Sequence, residues 1–102
     1  MISKEYYQYF VNQHACDQRF IDLAKALGKK DADDPQDIVD LLVELQKTCE
    51  VDHLKMSDYG IVYDEMDTLA KNARETMGGL FCADPIELNH ENCRIIFEKA
   101  YR

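Results

Sequence analysis

The sequence has no tryptophan, and only four glycines and two prolines among its 102 residues. Little in it interrupts a helix, because Gly and Pro are the residues that helices tolerate least. No apolar run approaches the ~20 residues of a membrane-spanning helix. The opening MISKEYYQYF has neither an apolar h-region nor a cleavage site, so a membrane is not an expected partner. Positive charge is scarce: twelve Lys plus Arg stand against twenty Asp plus Glu, a net charge of −8. That field repels phosphate backbones and anionic lipid, which excludes nucleic acid as a natural partner. There is no G-x-G-x-x-G, no G-x-x-x-x-G-K-[ST] and no G-x-S-x-G, hence no phosphate cradle and no nucleophile elbow. Cys16, Cys49, Cys82 and Cys93 show no C-x-x-C spacing. Their even number allows two disulfides. Cys49 and Cys93, however, fall on apolar helical faces, where a thiol packs as a small hydrophobe. Reduced, structural thiols and a cytoplasmic protein are the expectation.

What is there is an all-α pattern. With 46% hydrophobic and 31% charged residues, the chain is globular, and its length suits one domain or part of one. Ser3 opens a first helix to about Gln13. Its Tyr6, Tyr7, Tyr9 and Phe10 either pack on neighbouring helices or once faced something absent from the chain. Asp17 opens a second helix to Leu27, with Phe20, Leu23, Ala24 and Leu27 as its stripe and Gly28 as its stop. Asp34-Pro35-Gln36-Asp37 is the clearest helix start, a capping Asp with Pro at the first helical position. The helix that follows runs to about Cys49. It is apolar on more than half its girth (Ile38, Val39, Leu41, Leu42, Val43, Leu45), which predicts a central helix with neighbours on two sides.

Residues 50–63 have no sustained period. Leu54, Met56, Ile61 and Val62 are expected to anchor that connection, and a strand over 60–63 would lack a partner. Asp64 to Phe81, DEMDTLAKNARETMGGLF, is a helix running into a Gly-Gly turn. Met66, Leu69, Ala70, Ala73 and Met77 share one face, and Gly78 is the expected left-handed stop. Asn89 caps the last helix, with Leu88 stapled onto Cys93. The fold class is therefore a bundle of about five helices.

Chemistry is sparse. Of His14, His53 and His90, only His14 has a possible metal partner at helical spacing, Asp17. Such a pair at a helix end is ordinarily two solvated groups. Carboxylate pairs such as Asp33-Asp34 and Asp64-Glu65 sit at helix starts, where the helix dipole favours acids. Residues alone thus give no catalytic group, no metal ligand and no bound cofactor.

Several segments resemble the C-terminal helical region of the iron-containing alcohol dehydrogenases, a family that includes lactaldehyde reductase and propanediol dehydrogenase. Residues 19–28, RFIDLAKALG, resemble the family's "RF-x-x-[IL]-A-x-A-[LM]-G" helix. Residues 51–61, VDHLKMSDYGI, resemble its "G-[IL]-P-x-x-L-x-[ED]-[LY]-G-I" connection. Leu69 to Ala73 and Asp84-Pro85 resemble its "L-A-x-x-A" helix and "[ND]-P-R" turn, and Glu98 to Tyr101 its terminal helix. The match covers residues 19–102 and leaves residues 1–18 as an aromatic helix and linker without counterpart. Asp52 stands where the family has Pro, and Ile86 where it has Arg.

The resemblance implies a piece of an enzyme that passes hydride between an alcohol and NAD(P), with Fe(II) or Zn(II) as Lewis acid. The family's nucleotide and metal sites lie upstream of the matched region, so those missing regions are the implied partners. A homo-oligomer is a further expected arrangement. The resemblance places the substrate-pocket wall at the corner between the fourth helix and its turn, at Met77, Leu80 and Phe81. The competing reading is a free-standing acidic helical module that binds other proteins and catalyses nothing.

Overall fold

A computed structural model describes all residues, 1–102. Five α-helices carry the fold: α1 (Ser3–Asn12), α2 (Asp17–Ala26), α3 (Gln36–Thr48), α4 (Met66–Met77) and α5 (His90–Ala100). There is no strand. Residues 60–62 instead lie between two short 3-10 turns, Met56–Tyr59 and Tyr63–Glu65, and a third turn, Gly78–Ala83, follows α4.

The helix starts follow side-chain chemistry. Asn89 Oδ1 accepts from the Asn92 backbone N–H at 2.8 Å, while Asn92 Oδ1 accepts from the Asn89 N–H at 3.2 Å. This reciprocal pair satisfies two orphan donors of α5. Asp34 Oδ1 accepts from the Gln36 N–H at 2.9 Å and so opens α3. Ser3 and Asp17 do not cap. Each is the first residue of its helix, and neither α1 nor α2 has a side-chain cap. Gly60 adopts φ +81 and closes the first 3-10 turn, a conformation that a Cβ would strain. Gly78 corrects the expectation of a left-handed stop. Its φ is −53, and the chain tightens directly from α4 into the 3-10 turn.

The packing order corrects a second expectation. α3 does have two neighbours, α1 and α2, but the middle helix is α1, which packs against α3 on one side and α5 on the other. α2 lies against α3, and α4 against α5. The aromatic residues of α1 explain its place. Phe10 is 1% exposed and sits edge-on to Tyr6 and Tyr9, while Tyr7 meets Phe20 of α2 edge-on. Such edge-to-face pairs add to the burial of large rings. The aromatic run thus packs on the neighbouring helices.

The main core joins Phe10, Val11, Phe20, Ala24, Ile38, Val39, Ala70 and Ile96 across all five helices. A smaller one, Met56, Met66 and Ala100, pins the long connection between α3 and α4, and Phe97 packs against both. The last residues help: Tyr101 donates to the Ile61 carbonyl at 3.3 Å, and Arg102 donates to the carbonyls of Asp52 and Leu54. Val62, expected as an anchor, is 54% exposed, and Cys49 also lies on the surface.

The molecule measures 41 × 31 × 18 Å, a slab rather than a ball. A slab cannot enclose every helical stripe. Only 15 of the 102 residues are buried, and Leu23, Leu27 and Leu45, the outer ends of the α2 and α3 stripes, remain exposed.

Candidate functional site

Met77, Leu80 and Phe81 lie close together at the corner after α4. Met77 ends α4, and Leu80 and Phe81 lie on the 3-10 turn that follows. Together with Ala73, Tyr6 and Asp84 they wall an apolar depression of about 280 Å³. Met77 and Leu80 are 53% and 63% exposed, so they form its open rim, while Phe81 is half-buried at its base. Behind it lies a second, smaller pocket of about 140 Å³. Tyr6, Ala73 and Phe81 belong to both and mark the throat between them. The two adjoining depressions form one apolar cleft, open to solvent, between the α4 corner, α1 and α5.

Two contacts fix this geometry. The Tyr6 hydroxyl donates to Asp84 Oδ1, tying α1 to the turn that precedes α5. The Arg74 guanidinium carbon stands 4.8 Å from the centre of the Phe81 ring, a cation–π contact that holds the ring at the throat. Burial, then the hydrogen bond to Asp84 and the charge of that carboxylate, push the Tyr6 hydroxyl well above the ordinary tyrosine range. The sign follows from linkage. A group whose proton is held more tightly in the folded state stabilises fully below its unfolded pKa, and that contribution fades as pH rises. The unfolding free energy is thus expected to fall from about pH 10 upward, where free tyrosine ionises. Tyr6→Phe should flatten that slope in urea titrations across the alkaline range and cost about 1 kcal/mol at neutral pH. An unchanged alkaline slope would show that Tyr6 ionises freely in the fold.

No thiol in or beside the cleft is poised as a nucleophile. Cys93 is 4% exposed and lines the inner pocket, and burial raises its thiol pKa. The Cys16 thiol is also raised, by burial first, with Arg19 opposing. A thiol shifted upward is a poor nucleophile at neutral pH. All four cysteines are free thiols, and Cys82 is exposed and lines neither pocket.

The chain's own residues do not fit the metal that the resemblance implies for the larger enzyme. His14 Nδ1 lies 3.1 Å from Asp17 Oδ2, and His90 Nε2 lies 2.8 Å from Asp67 Oδ1. His53 stands exposed in a loop. Each is at most a two-residue pair, and no group of three or more His, Cys, Asp or Glu converges, short of the three or four ligands such a metal needs. The largest depression, about 610 Å³, is an acidic trench between α2 and α3 that includes Asp31, Asp37, Asp40 and Glu44. Its one buried acid, Asp37, is already paired with Lys29 at 2.7 Å. That lysine holds the carboxyl below the usual range, so the trench is a solvated salt-bridge surface.

No protein family, curated protein or solved structure matches the chain. The cleft is therefore read from its own chemistry. It is apolar, open to solvent, and offers one carboxylate at its rim. Sequence reasoning missed Tyr6 and Asp84 as wall residues. Tyr6 shares the apolar face of α1 with Phe10, but its partner lies 78 positions away, a separation that no local pattern reports.

Proposed function

We propose that the chain is the C-terminal helical part of an NAD(P)-dependent, metal-dependent alcohol dehydrogenase, and that its cleft supplies one wall of the alcohol pocket. The carrying observation is that Met77, Leu80 and Phe81, singled out by the resemblance alone, line a single apolar cleft. A second feature supports it. Met77 and Leu80, both more than half exposed, leave an apolar rim on the cleft, as expected where upstream regions of a larger enzyme would dock. In this reading the nucleotide, the Fe(II) or Zn(II) and the catalytic groups belong to those upstream regions. This chain contributes packing and exclusion of water at the substrate. It works as an oxidoreductase component in a cytoplasmic, reducing compartment that keeps its four thiols free. Burial of the exposed apolar residues against the upstream regions, or between copies of the enzyme, completes the fold.

The deciding test is the gene. A reading frame that continues upstream into a nucleotide-binding domain and a His-rich metal helix supports the proposal. A stop codon directly before Met1 overturns it in favour of an acidic helical interaction module. At the protein level, the chain alone should reduce neither NAD+ nor NADP+ with any alcohol. In the full-length enzyme, Leu80→Ala should shift the kcat/KM ratio toward bulkier alcohols by about tenfold or more, the effect of one to several methylenes of pocket space. An unchanged ratio would remove Leu80 from the pocket wall.

A further inference from the structure

The inner pocket has a chemistry of its own. Every one of its lining side chains is apolar. The rings of Tyr6, Phe81 and Phe97 stand around it, with Ile2, Leu88 and Ile96 between them. The Tyr6 hydroxyl is turned away to Asp84, so the residue presents its ring and not its hydroxyl. An apolar cavity of about 150 Å³ lined by Leu, Ile and Phe stays dry and accepts benzene. The inner pocket, at about 140 Å³, has that size and an apolar lining, but it opens to solvent, so a ring seated there displaces loosely held water.

The throat at Ala73 opens into the outer pocket, whose single charged group is Asp84. Its Oδ1 is engaged by Tyr6, and its Oδ2 accepts no hydrogen bond from the chain. An entering molecule therefore meets ring-sized apolar space inside and one unused acceptor outside. A docked helix or strand needs a groove with several anchor points, whereas this pocket has room for one ring. We propose that the cleft is a binding site for a small neutral aryl alcohol, its ring between Tyr6, Phe81 and Phe97 and its hydroxyl donating to Asp84. Within the dehydrogenase reading that molecule belongs to the substrate class. Binding does not depend on that reading, and its test uses neither nucleotide nor metal.

The probe is benzyl alcohol, titrated into the chain while methyl NMR resonances are followed. The Ile2, Leu88 and Ile96 methyls are expected to shift together and to saturate. Benzoate should bind at least about tenfold more weakly, because its carboxylate meets that of Asp84. Ala73→Leu, on a half-exposed helical position, should narrow the throat and weaken benzyl alcohol binding at least about tenfold, with the helical circular-dichroism signal retained. Absent or non-saturating methyl shifts overturn the proposal, as does unchanged affinity in a folded Ala73→Leu chain. Equal affinity for benzoate and benzyl alcohol overturns the part played by Asp84. The methyl map of the unaltered chain decides the matter even where the variant does not fold.

Discussion

Phe10→Ala is expected to lower the melting temperature by about 15–30 °C, the equivalent of about 3–5 kcal/mol in a domain of this size. Phe10 is 1% exposed and lies on the one helix that holds the two halves of the slab together. Its ring meets Tyr6 and Tyr9 and sits in the core that reaches α2, α3, α4 and α5. Alanine there leaves a cavity at the centre, where the surrounding helices cannot collapse without breaking the α1 contacts on both sides. A total stability of about 5–15 kcal/mol leaves little margin for such a loss. The check is a thermal melt followed by circular dichroism. A fall of less than about 5 °C, some 1 kcal/mol on the same scale, would mean that α1 is not the helix on which the fold depends.

Met66→Ala is expected to cost about 2–5 kcal/mol, with a different spatial signature. Met66 is 1% exposed, but it belongs to the small core with Met56 and Ala100. That core holds the connection between α3 and α4, together with the Tyr101 and Arg102 contacts to Ile61, Asp52 and Leu54. Losing Met66 should therefore loosen this segment before the helices. Hydrogen exchange reads the difference. The Ser57 and Ile61 amides, which donate to the Arg102 and Met56 carbonyls, should lose protection. Amides in the middle of α3 should lose less. Equal loss across the molecule would show that the two cores unfold as one unit.

The five helices could be read from the sequence because each carries its own signal. Phe20 and Ala24, or Met66 and Ala70, repeat at helical spacing and are buried in the fold. Asn89 caps α5 as its chemistry requires. What could not be read depends on distance along the chain. The stripe of α3 says that it has neighbours on two sides but not which helices these are. Phe10 and Tyr6 gave α1 its aromatic face without revealing that α5 covers it. Gly78 looked like a left-handed stop, yet the continuation through Phe81 into the cleft holds it right-handed. Cys49 and Leu45 follow the apolar period of α3 and are nevertheless exposed. Periodicity marks a face for burial but does not guarantee that this chain supplies the cover. The corner at Met77, Leu80 and Phe81 came from resemblance. Its opposite wall, Tyr6 and Asp84, needed the fold.

The central place of α1 has a consequence for how the protein is made. α1 leaves the ribosome among the first residues of this region, whereas α5, which packs against it, follows about 80 residues later. At about 5–20 residues per second that interval is roughly 4–16 s. During it the rings of Tyr6 and Phe10 are only partly shielded, and α1 can be held by α2 and α3 alone. The nascent chain thus passes through a half-built, sticky stage of some seconds, in which chaperone capture competes with completion.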